Sequence, residues 1–266
     1  MAFNKYNYYL KSFSNAYYQQ NYFSMSIQHL CISNLSSNDI NHNLLHPEII
    51  LNTNNRKACI ERLKKLFSMA SFTKNNQDTK NAAVLIPLCL HDNELGFLYT
   101  LRSKTLSTNG GQVSFPGGIK DNDDENYEMT ALRETWEELG IPNEKVDVWT
   151  SGNFIGRKDV NVMPILGYVG EIDLKKLKIN HREVEEAFVV SLKHFCDQKY
   201  CRYTQFRTGY TLPVFLKEGH KIWGLTALIT HMTMCALIPD IYRHKLKFLR
   251  PIEKITGDKK VDKLFT

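Results

Sequence analysis

Three glutamates, Glu134, Glu137 and Glu138, fall within five residues of one another just ahead of Gly140 and Pro142, and this spacing constrains the chain more than any other feature. Residues Asn126 to Leu139 are helical in composition, and Gly140 followed by Pro142 supplies a stop signal. On a helix Glu134 and Glu138 are i,i+4 neighbours and Glu137 lies three from Glu134, so three carboxylates crowd one side. Like charges at these spacings cost a bare helix a few tenths of a kcal/mol per pair, and a hard divalent cation is the natural compensation. The same helix offers Ala131, Leu132, Trp136 and Leu139 to a core. Just upstream, Gly117-Gly118 lets the backbone turn tightly and expose a carbonyl. A solvated acidic face would need neither Arg133, nor the trailing Gly140, nor the leading Gly-Gly at these offsets.

The rest of the chain supplies partners for such a helix. Arg56 to Phe72 places Ile60, Leu63, Phe67 and Ala70 at the spacing of an amphipathic helix, with its basic residues on the other face. Two strand-like runs, Ala82 to Leu90 and Leu95 to Arg102, are joined by His91-Asp92-Asn93-Glu94, a hairpin connection. Further strand-like runs occupy Val146 to Phe154, Val162 to Val169, Ala187 to Val190, Tyr200 to Phe206 and Thr211 to Leu216, and an apolar helix covers Leu225 to Tyr242. This order predicts an α+β fold, an α/β/α sandwich on a mixed β-sheet. The domain is expected over residues 78–242, after an amphipathic helix and linker over 56–77. Residues 1–55 are expected to be a poorly ordered N-terminal extension or targeting segment, and 243–266 a basic C-terminal tail.

Composition narrows the function. The 266 residues carry a net charge of +6, which invites a reading as a polyanion binder. The excess sits in two places, with six Lys/Arg against one acid over 56–74 and eight against three over 241–266. The span 75–240 holds 18 Lys/Arg against 22 Asp/Glu, so the middle is acidic and the charge does not argue for nucleic acid. Six cysteines without a CxxC pair argue for a reducing compartment and against a structural zinc site. The most apolar stretch, Leu225 to Pro239, is interrupted by His231 and three threonines, so no membrane span is expected.

The segment from Gly117 to Ile141 resembles the Nudix box, G-x5-E-x7-R-E-U-x-E-E-x-G-U with U a bulky apolar residue. Arg133 to Ile141 matches its second half except that Thr135 occupies the first U, and the early Glu is displaced by one, to Glu125 after Gly118. That extra residue is also a feature of the coenzyme A diphosphatase branch of the Nudix hydrolases. Leu98-Tyr99-Thr100-Leu101-Arg102-Ser103 and Gly110-Gly111-Gln112-Val113-Ser114-Phe115-Pro116-Gly117-Gly118 are similar to the signature of that branch, LLTxRSxxLxxHxGQVSFPGG, with Tyr99 in the second Leu place and Asn109 where His is usual. Tyr210 to Phe215 and Trp223 to Ala227 resemble the C-terminal part of its mitochondrial members.

The resemblance implies the Nudix fold and cleavage of the diphosphate of coenzyme A and its acyl forms, giving 3′,5′-ADP and (acyl-)4′-phosphopantetheine. A diphosphate repels incoming nucleophiles, so Mg²⁺ or Mn²⁺ is expected as cofactor, to neutralise its oxygens and lower the pKa of a water. Glu134 and Glu138 are the first expected metal ligands, Glu137 the third, and the Gly118 carbonyl a backbone ligand; one of these glutamates or a loop carboxylate accepts the proton of the attacking water. Glu183 and Glu185 are loop candidates, more simply read as a solvated charge run. Arg133 should hold the box by pairing with an acid such as Glu125, and Gly117 and Gly140 support its turns. Arg102, whose guanidinium can grip phosphate bidentately, is expected to bind substrate together with Ser103, Gln112 and Ser114. His91, His220 and His231 receive no role, and Phe115 and Trp223 are expected in the core.

Two other readings stay open: hydrolysis of NADH, ADP-ribose or another nucleoside diphosphate derivative, which Asn109 would favour, and a Nudix protein that binds nucleotide or RNA without hydrolysing it. The likeness to mitochondrial members implies a mitochondrial location, with the cytosol as alternative. Lys263-Leu264-Phe265-Thr266 is not an SKL-type signal, which counts against the peroxisome.

Overall fold

The computed structural model describes residues 42–70, 79–157, 160–205 and 211–246, so most of the N-terminal extension and of the basic tail lie outside the described residues. Two short helical turns, His42–Leu45 and Pro47–Ile50, precede α1 (Thr53–Ala70), which buries Cys59, Leu63, Leu66, Phe67 and Ala70 along one stripe. Strands β1 (Lys80–His91) and β2 (Glu94–Arg102) follow. Their hairpin turns at Asp92 and Asn93, with φ of 49° and 62°, the left-handed pair that suits a two-residue connection between twisted strands. Short strands β3 (Val113–Ser114) and β4 (Gly117–Ile119) then lead into α2 (Tyr127–Leu139).

Helix α2 is the acidic helix foreseen from the glutamate spacing. The Asn126 side chain caps it, accepting from the Met129 N–H at 2.9 Å, and Gly140 ends it in the left-handed region at φ 68°. After it come β5 (Asp147–Ser151), β6 (Ile155–Arg157), β7 (Val160–Glu171), β8 (Val184–Ser191) and the one-turn α3 (Leu192–Cys196). Strands β9 (Cys201–Gln205), β10 (Thr211–Lys217) and β11 (His220–Ile222) form a separate antiparallel sheet, and α4 (Gly224–Leu237) closes the described fold.

The main sheet has eight strands on a β3-β2-β1-β7-β5 path, with β4 paired to β1, β6 to β7 and β8 to β2. Strands β1 and β7 run parallel and the other pairs antiparallel, which makes the sheet mixed. One core lies between the sheet and α1 with α4, built from Leu63, Phe67, Phe97, Tyr99, Met232 and Ala236 among others. The second lies between the opposite face and α2, built from Ala83, Leu85, Leu98, Ala131, Leu139 and Ile165. This is the expected α/β/α sandwich.

Four expectations need correction. Trp136 does not face the core and is 57% exposed. The buried positions of α2 are Thr130, Ala131, Leu132, Thr135, Glu138 and Leu139, and Thr135 satisfies its buried hydroxyl by donating to the Ala131 carbonyl at 2.6 Å. Trp136, about 100° further round the helix, is therefore turned to solvent. The last helix stops at Leu237 rather than Tyr242, because Ile238 precedes Pro239 and leaves helical geometry at φ −137°, ψ 59°. The run expected as one strand over Val146–Phe154 divides into β5 and β6. Trp223 is likewise 38% exposed rather than core, whereas Phe115 is buried as expected. Among the described residues no helix is long and apolar enough to cross a membrane.

Candidate metal and diphosphate site

The site forms where β4 runs against the C-terminal half of α2. The ladder bonds Leu85 N–H to Pro116 O and Lys120 N–H to Asn81 O bracket the register Ala83↔Gly118. Alternation along an antiparallel ladder then makes Gly118 a bonded residue, while Gly117 turns its amide away from β1. That amide donates to the Glu138 carboxylate. Gly117 has φ 150°, and a β-carbon there would stand 2.6 Å from the Val84 backbone, so both conformation and space require glycine. Gly118 needs to be glycine for another reason: the Glu134 carboxyl occupies the place of its β-carbon, with Oε2 2.7 Å away and the other two atoms closer.

Glu134, Glu138 and Glu183 each present a carboxylate oxygen, and these oxygens lie within 4.8 Å of one another. Glu138 is 1% exposed, and its Oε2 is buried without a hydrogen-bond partner. Burial pushes its pKa up to about 8, helped by Glu134 and Glu183 and opposed by Arg102 and by the Gly117 amide. Burial also raises Glu134, against the pull of Arg133. Three converging carboxylates, one with an orphaned oxygen, match the all-oxygen preference of Mg²⁺ and Mn²⁺, so the residues fit the expected cofactor.

Glu183 replaces Glu137 in the group. Glu137 turns along its own helix to Arg133, at 3.2 Å, and its side chain is 40% exposed. Glu183 is not part of a solvated run, because the Ser103 N–H holds its carbonyl at 2.8 Å and the Asn180 side chain holds its carboxylate at 3.1 Å. Glu185 behaves as that bland reading expected, pairing with Lys104 at 3.3 Å on the surface. Arg133 pairs with Asp124 rather than Glu125: Nε reaches Oδ1 at 2.9 Å and Nη2 reaches Oδ2 at 3.0 Å. The Asp121 N–H also donates to Asp124, and these contacts hold its carboxyl well below the usual range, the Arg133 bonds foremost. The Gly-Gly loop is thus fastened to the helix through Asp124.

Arg102 ends β2 with its Nη1 3.6 Å from Glu138 Oε1 and its Nε buried without a partner. Its backbone is fixed by the 103–112 loop, which returns so that the Gln112 carbonyl accepts from the Arg102 N–H at 3.0 Å. The Ser103 hydroxyl is engaged by Thr105 at 2.8 Å and that of Ser114 by Thr100 at 3.1 Å. Of the four expected substrate residues, Arg102 alone is placed with its charged head at the carboxylate group. Asn109 turns this loop at φ 56°, a left-handed conformation that Asn and His both adopt more readily than most residues, so the departure from His preserves the turn. His231 is buried against the Tyr242 hydroxyl at 2.8 Å, and His220 stacks on Phe188.

A glycine-backed carboxylate group on one face of an α/β/α sandwich has the all-oxygen donor set that could hold a divalent cation. The NUDIX domain profile matches residues 79–205. The chain is 46% identical over 171 residues to the mitochondrial coenzyme A diphosphatase NUDT8 of Mus musculus, covering 62% of this chain and 81% of that protein. It is 42% identical to the Homo sapiens NUDT8 over 172 residues, covering 62% and 73%. To the peroxisomal coenzyme A diphosphatase ndx-8 of Caenorhabditis elegans it is 31% identical over 184 residues, covering 66% and 76%. The chain belongs to the Nudix hydrolase family and is a hydrolase acting on pyrophosphate bonds.

Proposed function

We propose that this hydrolase cleaves the diphosphate of coenzyme A and acyl-coenzyme A, releasing 3′,5′-ADP and (acyl-)4′-phosphopantetheine. The observation that carries the reading is Arg102 seated on the Glu134/Glu138/Glu183 group, because Arg102 lies in the stretch that resembles the coenzyme A signature and the glutamates form the cation site. Glu134, Glu138 and Glu183 would hold Mg²⁺ or Mn²⁺, whereas the Gly118 carbonyl, at a bonded position of the β4–β1 ladder, faces Ala83. When bound, such a cation neutralises diphosphate oxygens and acidifies water.

The chain's own groups do the rest. The Gly117 amide orients Glu138, Asp124 and Arg133 hold the loop against the helix, and Glu134 is wedged against Gly118. Arg102 binds a diphosphate oxygen with the guanidinium edge that now faces Glu138. One of these glutamates or a neighbouring loop carboxylate accepts the proton of the attacking water. Gln112, Ser103 and Ser114 shape the loop that carries Arg102.

Incubating the protein with coenzyme A and Mn²⁺ or Mg²⁺ tests the reading, with 3′,5′-ADP as the expected product. Cleavage of NADH or ADP-ribose with coenzyme A untouched would favour the second hydrolytic reading, and salt-sensitive RNA retention without hydrolysis would favour the binding one. The mitochondrial names of two of these relatives support a mitochondrial location. A reporter fused to residues 1–55 should enter mitochondria, and a diffuse cytosolic signal would refute this.

A further inference from the structure

Resting on the reading of Glu183 as a metal ligand, we propose that Asn180 is the positioning residue that sets Glu183 against Glu138, two carboxylates far apart in the sequence. The segment before β8 is strapped to the end of α2 by two backbone bonds, Lys178 N–H to the Leu139 carbonyl at 3.1 Å and Asn180 N–H to the Glu138 carbonyl at 3.0 Å. These satisfy two of the carbonyls that a helix C-terminus leaves open. Gly140 makes the strap possible, since a β-carbon there would stand 2.7 Å from Lys178 Cβ. Asn180 is therefore fixed to the backbone of Glu138 itself.

From that anchor Asn180 controls Glu183 in two ways. Its carbonyl accepts from the N–H groups of Glu183, at 3.0 Å, and Val184, at 2.9 Å, and its Oδ1 accepts from Arg182 N–H at 3.2 Å, which closes the turn over 180–183. Its side-chain Nδ2 donates to Glu183 Oε1 at 3.1 Å. One oxygen of Glu183 is thus held while the carboxylate stays within the 4.8 Å group. Hydrogen bonds of this kind to a ligating carboxylate fix its direction, and their loss typically lowers metal affinity 10- to 100-fold. Side chains that are partly exposed, as both Asn180 and Glu183 are, sample other rotamers unless such a bond holds them.

The test is a cycle of Asn180→Ala, Glu183→Gln and the double variant in the full chain, reading Mn²⁺ dissociation constants from the free-Mn²⁺ signal in paramagnetic resonance. Asn180→Ala should weaken Mn²⁺ about tenfold, and should weaken it no further in the Glu183→Gln background, because it acts through that carboxylate. Turnover by Asn180→Ala should recover to within about twofold at saturating Mn²⁺. If the 180–183 turn does not survive the alanine, Asn180→Ser keeps an uncharged side-chain acceptor for the Arg182 N–H and is too short to reach Glu183 Oε1, with the same expected non-additivity. Additive losses, or unchanged Mn²⁺ affinity for both Asn180 variants while Glu183→Gln is impaired, overturn the positioning role alone. Unchanged affinity in Glu183→Gln itself overturns the ligand assignment beneath it.

Discussion

Gly118→Ala separates the chemistry of the site from the stability of the fold. The new methyl would meet Glu134 with Oε2 at 2.7 Å and the other carboxyl atoms closer. Ordinary contact lies near 3.5 Å, so the carboxylate must retreat by roughly 1 Å. Ligand distances in a metal site tolerate only about ±0.2 Å, and a displacement near 1 Å can cost about 100-fold in rate. The fold, by contrast, loses little. Gly118 is not in the left-handed region, and the atoms displaced are the far end of a flexible side chain. Loss of unfolded-chain entropy should offset most of the strain, leaving stability within about 1 kcal/mol, or about 2–4 °C in Tm. Gly117→Ala, whose methyl would meet β1 backbone at φ 150°, should destabilise by more than about 2 kcal/mol. Thermal denaturation in chelator, together with Mn²⁺ titration and turnover, reads both effects. Wild-type Mn²⁺ affinity and turnover in Gly118→Ala would refute the placement of Glu134, and equal Tm losses in the two variants would refute the division of labour between the glycines.

Other outcomes follow from the same geometry. Asp124→Asn removes the charge that holds Arg133, which is 25% exposed, and should lower stability by about 2 kcal/mol and Tm by about 4–8 °C. Because Asp124 titrates below its unfolded value, its contribution is present above about pH 4 and fades as pH falls towards the depressed folded pKa, so the variant and the parent should converge in acid. Glu138 has the opposite sign. With a folded pKa raised to about 8, it makes the metal-free protein less stable as pH rises from about 4 to 8, and Glu138→Gln should flatten that slope in pH-dependent unfolding. For the same reason Mn²⁺ binding near pH 6.5 should release protons, seen as buffer-dependent heat in calorimetry, and should release almost none at pH 9.5 or in Glu138→Gln. Glu183→Gln should weaken Mn²⁺ markedly whereas Glu185→Gln, at the surface partner of Lys104, should not.

Much of the fold was legible because it depends on local spacing. The cap at Asn126, the stop at Gly140, the Asp92-Asn93 turn and the stripe of α1 are all set by residues within a few positions of one another. The Gly-Gly pair and the Glu134/Glu138 spacing likewise survive intact from sequence to site. What failed depended on which of two neighbours the tertiary structure selects. Thr135 took the inward place that size alone gave to Trp136, because its hydroxyl could be satisfied within the helix. Asp124 took the arginine expected for Glu125 because the Asp121 amide turns it inward. Glu183 was legible only as a charged run, since its inward turn depends on a strap to the end of a helix more than forty residues earlier. No local pattern encodes that contact, although Asn180, three residues before Glu183, is a turn-forming residue and so the one local sign of it.

The most direct measurement of the central claim is product analysis of coenzyme A hydrolysis by the parent chain and by Glu138→Gln, each with and without Mn²⁺. The parent should form 3′,5′-ADP and 4′-phosphopantetheine in equal amounts with Mn²⁺ and none in chelator, and Glu138→Gln, folded to the same Tm or higher, should lose most of this activity. Unchanged turnover in Glu138→Gln, or coenzyme A left intact by a Mn²⁺-loaded parent, would contradict the account.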